Sequence, residues 1–382
     1  MRVSPSRVLA LLLGVSLLGP LGARAGQAPP PDGRIRSQLT LNNLPVTVAF
    51  EPGLRADAPE HRALLGDGSS AADPVRIARI ETLPLLRIGT LDGTPPEPPA
   101  EERSPISPVL YDLWLTRDAD GWALDARWAE LDGTVATTSS GTILLSTQPS
   151  DGTYETLSAS VAPTSDDTGR IELRWGSRLW TADFFFQEVP EDALAAAAAG
   201  AAGDASRPFD DPRADAGYRL IRLAERHETA IVLPEGERIA TLVWQDVATD
   251  HGDFAAVASL EDGDVMRLTE AAVIRIRSEV GLRIGSAALP TGNISEGFAG
   301  SYGVWIQRRG SGWRLVFNNE PDSWGTQHNP EYNASQTEVT YTRGGRTDRP
   351  LGTRLIPTSA DGGRLVIHWG PHEWATDFEV IR

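Results

Sequence analysis

Short runs of alternating apolar and polar residues dominate the chain. Ile171, Leu173 and Trp175 alternate with Glu172 and Arg174, and Leu365, Ile367 and Trp369 repeat the spacing. A period of two puts the apolar residues on one face of a strand. Trp122, Leu124, Ala126 and Trp128 share such a face, and Trp313, Leu315 and Phe317 do so again. Residues 113–116 and 122–128 flank Arg117-Asp118-Ala119-Asp120-Gly121, which predicts a hairpin loop. Long helical periodicity is scarce. The pattern predicts an all-β fold of antiparallel, jelly-roll-like sandwiches.

The strands come in two sets. Arg170-Ile171-Glu172-Leu173-Arg174-Trp175-Gly176 recurs as Arg364-Leu365-Val366-Ile367-His368-Trp369-Gly370, an offset of 194. Trp180-Thr181-Ala182-Asp183-Phe184 recurs as Trp374-Ala375-Thr376-Asp377-Phe378 at the same offset. Tyr111-Asp112-Leu113-Trp114-Leu115 and Gly121-Trp122 recur at 191 as Tyr302-Gly303-Val304-Trp305-Ile306 and Gly312-Trp313. Leu86-Arg87-Ile88-Gly89 recurs at 196 as Leu282-Arg283-Ile284-Gly285. A nearly constant offset over several blocks points to two tandem copies of one domain. Residues 191–217 are rich in Ala, Gly, Asp and Pro and read as a linker. The expectation is copy one over 36–190 and copy two over 218–382. Residues 95–99 carry a proline-rich exposed loop.

The first residues change the address. Arg2 and Arg7, an apolar run over 8–18, and Ala23-Arg24-Ala25 form the three parts of a secretory signal peptide, expected over 1–25. The run is too short to span a bilayer, and no later segment is apolar enough to do so. The mature chain is expected to be exported, periplasmic or secreted, with no transmembrane segment. Cys is absent, so two ordinary hydrophobic cores must suffice. All 35 basic residues are Arg. That excludes Schiff-base chemistry, the P-loop lysine and Ser-Lys dyads. The chain carries a net charge of −17, which repels nucleic-acid phosphates and anionic lipids.

The densest polar cluster is residues 318–332. A sugar ring would stack on Trp324 or Tyr332 while Asn318, Gln327 and Glu331 meet its hydroxyls. His328 with Glu331 or Asp322 offers a metal pair, but His-x-x-Glu lacks the further ligands of a complete site. The bland alternative is a hydrogen-bonded loop at the sandwich edge, which these residue types favour. Copy one keeps none of the cluster. His251 and Asp253 lie in a second polar turn, and His251 would have to approach His328 to join a site. His368-x-x-x-His372 has metal spacing, but Arg174 and Arg178 stand at the matching places, so exposed polar positions are expected. Ala299-Gly300-Ser301-Tyr302-Gly303 misses a nucleophile elbow at Ala299 and is followed by a strand, so a turn is expected. Asp183 and Asp377 stand at matching places and are expected to fix a turn or accept a Trp N–H. Asn293 and Asn333 open glycosylation-like triplets that are read as turns. No dinucleotide, phosphate-loop or zinc-ribbon motif appears.

Three stretches of copy two carry a family resemblance: Gly300-Ser301-Tyr302-Gly303, Trp313-Arg314-Leu315-Val316-Phe317-Asn318 and Trp324-Gly325-Thr326-Gln327-His328. Together they resemble a family of exported bacterial domains known as domain of unknown function twenty-nine-eleven. The family's arginine motif has its nearest match at Met266-Arg267-Leu268-Thr269-Glu270, without the motif's aromatic residue and asparagine. The resemblance implies export and a β-rich fold, and no established reaction. Arg267 joins the candidate set on this ground, and Glu270 is counted with it as a candidate.

These readings converge on a non-enzymatic module that binds a small molecule, a glycan or an envelope protein. No cofactor and no resident metal are called for. The alternative is an extracytoplasmic hydrolase, with or without metal assistance, with its site in copy two.

Overall fold

The structure is a computed structural model. It describes residues 33–41, 44–65, 73–82, 85–91, 109–118, 121–130, 133–165, 167–187, 226–244, 247–266, 274–293, 299–320 and 328–382. The expected signal peptide, the segment 191–217 and the loop at 95–99 lie outside these residues.

The first half contributes β1 (Ile35–Leu41), β2 (Leu44–Phe50), helix α1 (Pro59–Leu65), β3 (Val75–Thr82), β4 (Leu86–Arg87), β5 (Val109–Asp118), β6 (Gly121–Ala129), β7 (Gly141–Pro163) and β8 (Thr168–Phe186). The second half contributes β9 (Arg226–Val232), β10 (Arg238–Trp244), helix α2 (Gly252–Ala256), β11 (Ile274–Ser278), β12 (Gly281–Ile284), β13 (Ala287–Leu289), β14 (Ser301–Arg309), β15 (Gly312–Asn318), β16 (Asn333–Arg343), β17 (Gly352–Ser359), β18 (Gly362–Trp369) and β19 (His372–Ile381). Among the described residues every strand ladder is antiparallel, so the fold is all-β.

One layer runs through both halves in the order β7–β6–β5–β3–β2–β1–β9–β10–β11–β14–β15–β16. The join is the β1–β9 ladder, whose middle pair is Gln38 and Ala230. Residues 141–145 of β7 pair with β6, and from Ser146 onward β7 pairs with β8. In the second half that path is divided between β16 and β17, which pair with β19 and β18. The β7–β8 and β17–β18–β19 hairpins form the second layer.

Period-two patterning explains the core. In β1, Ile35, Ser37, Leu39 and Leu41 point inward while the residues between them are partly exposed. Trp175, Trp180, Trp369 and Trp374 are fully buried between the layers. One contiguous apolar cluster includes residues of both halves, from Ile35 to Phe378. Each short helix closes the same end of its half. His61 of α1 meets the edge of Trp175 at 4.7 Å, and Phe254 of α2 meets Trp369 at 5.3 Å.

The second layer meets itself at a seam between β7 and β17. Ser158 Oγ donates to the Pro357 carbonyl at 2.5 Å. Buried Glu172 accepts from Arg174 at 2.7 Å and meets Arg354 of the other half at 3.3 Å. Arg354 also reaches Glu373 at 2.9 Å, and Arg364 reaches Asp151 across the seam at 3.3 Å. Burial alone would raise the Glu172 pKa, but the charges of Arg174 and Arg354 and the Arg174 hydrogen bond hold it at about 2.

Candidate functional site

The polar cluster of the second half begins where β15 ends. Buried Asn318 donates to the Asn329 carbonyl at 2.8 Å and to Asn333 Oδ1 at 3.1 Å, and its own oxygen accepts from the Glu320 N–H. His328 Nε2 lies 2.7 Å from Asn333 Oδ1. Because an amide oxygen can only accept, the His328 nitrogen must donate. The His328 ring also covers buried Trp305 at 5.3 Å. Asn329 Oδ1 accepts from the Glu331 N–H at the start of a short 3-10 turn, Pro330–Tyr332. The Tyr332 carbonyl accepts from the Asn319 N–H, while its ring is 48% exposed. The side chains of Asn318, His328, Asn329 and Asn333 thus satisfy one another and the local backbone. Asp322, Trp324, Gln327, Arg267 and Glu270 lie outside the described residues.

His251 has different company. Its Nδ1 accepts from the Asp253 N–H and caps α2, and its ring lies 6.4 Å from Trp369. Among the described residues no bond or ring contact joins His251 to His328. Nor do any three His, Asp or Glu among them come together as a metal would require.

The other motifs resolve as framework, with two departures from expectation. His368 and His372 are buried rather than exposed. In the β18–β19 hairpin His368 pairs with Glu373 and Trp369 with His372, so the two histidines face opposite sides and cannot share a ligand. His368 donates Nδ1–H to the Pro350 carbonyl, and His372 Nδ1 bonds the Tyr341 hydroxyl at 2.8 Å. Burial, then the charges of Arg354 and Arg349, push the His368 pKa well down. Burial and Arg343 lower that of His372. Asp183 and Asp377 bond arginines rather than Trp N–H groups: Arg170 grips both oxygens of Asp183, and Arg364 bonds Asp377 at 3.0 Å. The sequence carried that signal, since Arg170 and Arg364 open the repeated block at the same offset of 194. Ser301 opens β14 beside Gly300, a turn position with φ of 69°, as expected. Asn293 likewise staples a turn, accepting from the Gly300 N–H and donating to the Ser301 carbonyl.

Compared with known proteins, the chain matches no family model and no curated protein. Among solved structures it is similar, at 11% identity, to the tail fiber of Staphylococcus aureus phage P68. That match covers 87% of this chain and 70% of the other, with a TM-score of 0.12. A score that low carries no argument about fold or function. No helix among the described residues is long and apolar enough to cross a membrane.

Sequence reasoning missed one buried group outright. His227 of β9 has no exposure, and neither ring nitrogen has a hydrogen-bond partner. Burial lowers its pKa to about 4. A lone His within a strand gives no sign in sequence of whether a partner will reach it.

Proposed function

We infer that the protein is an exported, non-catalytic binding module built from two diverged copies of one antiparallel domain, related to the family its motifs resemble. The observation that carries the non-catalytic reading is the fate of its six histidines. His61 bonds the Arg55 carbonyl, His251 caps a helix, His328 holds Asn333, His368 bonds the Pro350 carbonyl, His372 bonds Tyr341, and His227 is sealed in the core. Lys and Cys are absent from the sequence, so carboxylates and tyrosines remain as acid–base groups. Buried Glu172 is held ionised between two arginines of the framework. The metal-assisted alternative would place His328 and Glu331, with or without His251, around one ion; His328 instead donates to Asn333 and His251 caps a helix.

The ligand is a small molecule, a glycan or an envelope protein. Titrating intrinsic tryptophan fluorescence with soluble cell-envelope glycans tests the reading. The expected result is a saturable change in emission without consumption of the glycan. A flat titration, or turnover of any glycan during the incubation, would overturn it.

A further inference from the structure

The outer surface of the β7–β8 hairpin holds a cleft of about 290 Å³. Ser146 and Thr181 are paired across the two strands, so their side chains share a face. Leu144 and Gln148 extend that face along β7, and Asp183 and Phe185 extend it along β8. The cleft is lined by Leu144, Ser146, Gln148, Arg170, Thr181 and Asp183, among others. Leu144 is 75% exposed and Phe185 50% exposed, the two largest exposures among large apolar side chains of the described residues.

The second half shows what this face looks like without that apolar surface. Trp122 pairs with Leu145 as Trp313 pairs with Val339, and Ser146 pairs with Thr181 as Thr340 pairs with Ala375. Those registers place Glu338 where the first half has Leu144. Arg87 pairs with Phe185 as Arg283 pairs with Glu379, so Glu379 stands in place of Phe185. Both glutamates are exposed, and Glu379 meets Arg283 at 3.0 Å. The Arg–Asp pair is common to both halves. The framework therefore accepts charge at both positions, and the first half carries apolar side chains there instead. Packing does not call for them.

We propose that this cleft binds a neutral oligosaccharide. Arg170 and Asp183 cancel one another's charge, so the cleft offers no net charge to an ionic ligand. Asp183 stays 63% exposed with lone pairs to spare for hydroxyl donors, and Ser146, Thr181 and Gln148 add neutral donors and acceptors. Leu144 gives the C–H faces of sugar rings an apolar surface within the cleft, and Phe185, exposed beyond the lining residues on the same face of β8, extends that surface. The ligand class deepens the binding-module reading and rests on it. The place does not, since it lies in the half opposite to the loop at residues 318–332.

The test is a glycan array probed with labelled full-length wild type, the double variant Leu144→Glu/Phe185→Glu, Gln148→Ala and Trp324→Ala. The double variant copies the second half's residues and is expected to keep the wild-type melting temperature. Wild type and Trp324→Ala should be retained on the same set of neutral oligosaccharides. The double variant should lose at least tenfold in apparent affinity, and Gln148→Ala several-fold. Should the double variant unfold, Gln148→Ala alone decides. Equal retention of wild type, the double variant and Gln148→Ala would overturn this cleft while leaving the binding module standing. Loss confined to Trp324→Ala would move the site to the second half. No retention of wild type would overturn the proposal together with the glycan reading.

Discussion

At the scale of single residues, His227 links burial to a measurable pH dependence. The unfolded chain binds a proton on this ring near pH 6.5, whereas the folded chain does so only near pH 4. Between those values the unfolded state holds more protons. The stability that His227 permits is therefore complete above pH 6.5 and falls as the pH drops toward 4, by about 3 kcal/mol over the window. The matching ladders of the two halves, traced from Tyr111 and Tyr302 back to β1 and β9, set Ile35 and His227 at equivalent places. His227→Ile should flatten the melting-temperature profile between pH 6.5 and 4, measured by thermal unfolding across that range. A variant profile as steep as wild type would contradict the assignment. Individual partners were the least legible part of the sequence. Glu172 and Arg174 occupy the polar positions of an alternating strand and read as a solvated face. They are buried because Arg354 arrives from a strand about 180 residues away in sequence, which no local pattern encodes.

At the scale of elements, much more was legible. The alternation over 171–175 and 365–369 marked inward-facing strands, and the Gly-Trp starts at 121 and 312 marked β6 and β15. The repeated Leu-Arg-Ile-Gly blocks have a physical reason that the sequence alone did not supply. Gly89 and Gly285 have φ of 60° and 54°. A Cβ on Gly89 would lie 2.6 Å from the Thr142 carbonyl oxygen, and one on Gly285 would lie 2.2 Å from Thr337 Oγ1. Each glycine lets its turn wedge between two strands where the ladder opens, as in the Gly285 N–H bond to the Asp377 carbonyl. Gly89→Ala should cost about 2 kcal/mol or more, from left-handed strain and from contact with an immovable backbone atom. Gly285→Ala should cost somewhat less, because a threonine hydroxyl can rotate away. Chemical denaturation of both variants checks the order, and costs below about 0.5 kcal/mol at Gly89 would refute it. The loop at 318–332 was legible in composition but not in role. Amides that suit a sugar also suit one another, and in the structure Asn318, Asn329 and Asn333 are spent on the loop itself.

At the scale of the molecule, the sequence pointed to two domains joined by a linker, and the structure adds a sheet that does not stop between them. The β1–β9 ladder, the apolar cluster common to both halves and the Glu172–Arg354 pair all cross from one half to the other. Removing one partner of a buried ion pair strands the other charge and costs about 3–5 kcal/mol. Glu172→Gln would leave Arg174 and Arg354 short of a counter-charge, so it should weaken both halves together. The two halves are joined by one continuous ladder and share one apolar cluster, so they should unfold as one body. Differential scanning calorimetry of the wild type beside Glu172→Gln tests it most directly. One transition is predicted, with calorimetric and van't Hoff enthalpies in agreement, displaced as a whole to lower temperature by Glu172→Gln. Two transitions in the wild type, with only one moved by the substitution, would contradict the account.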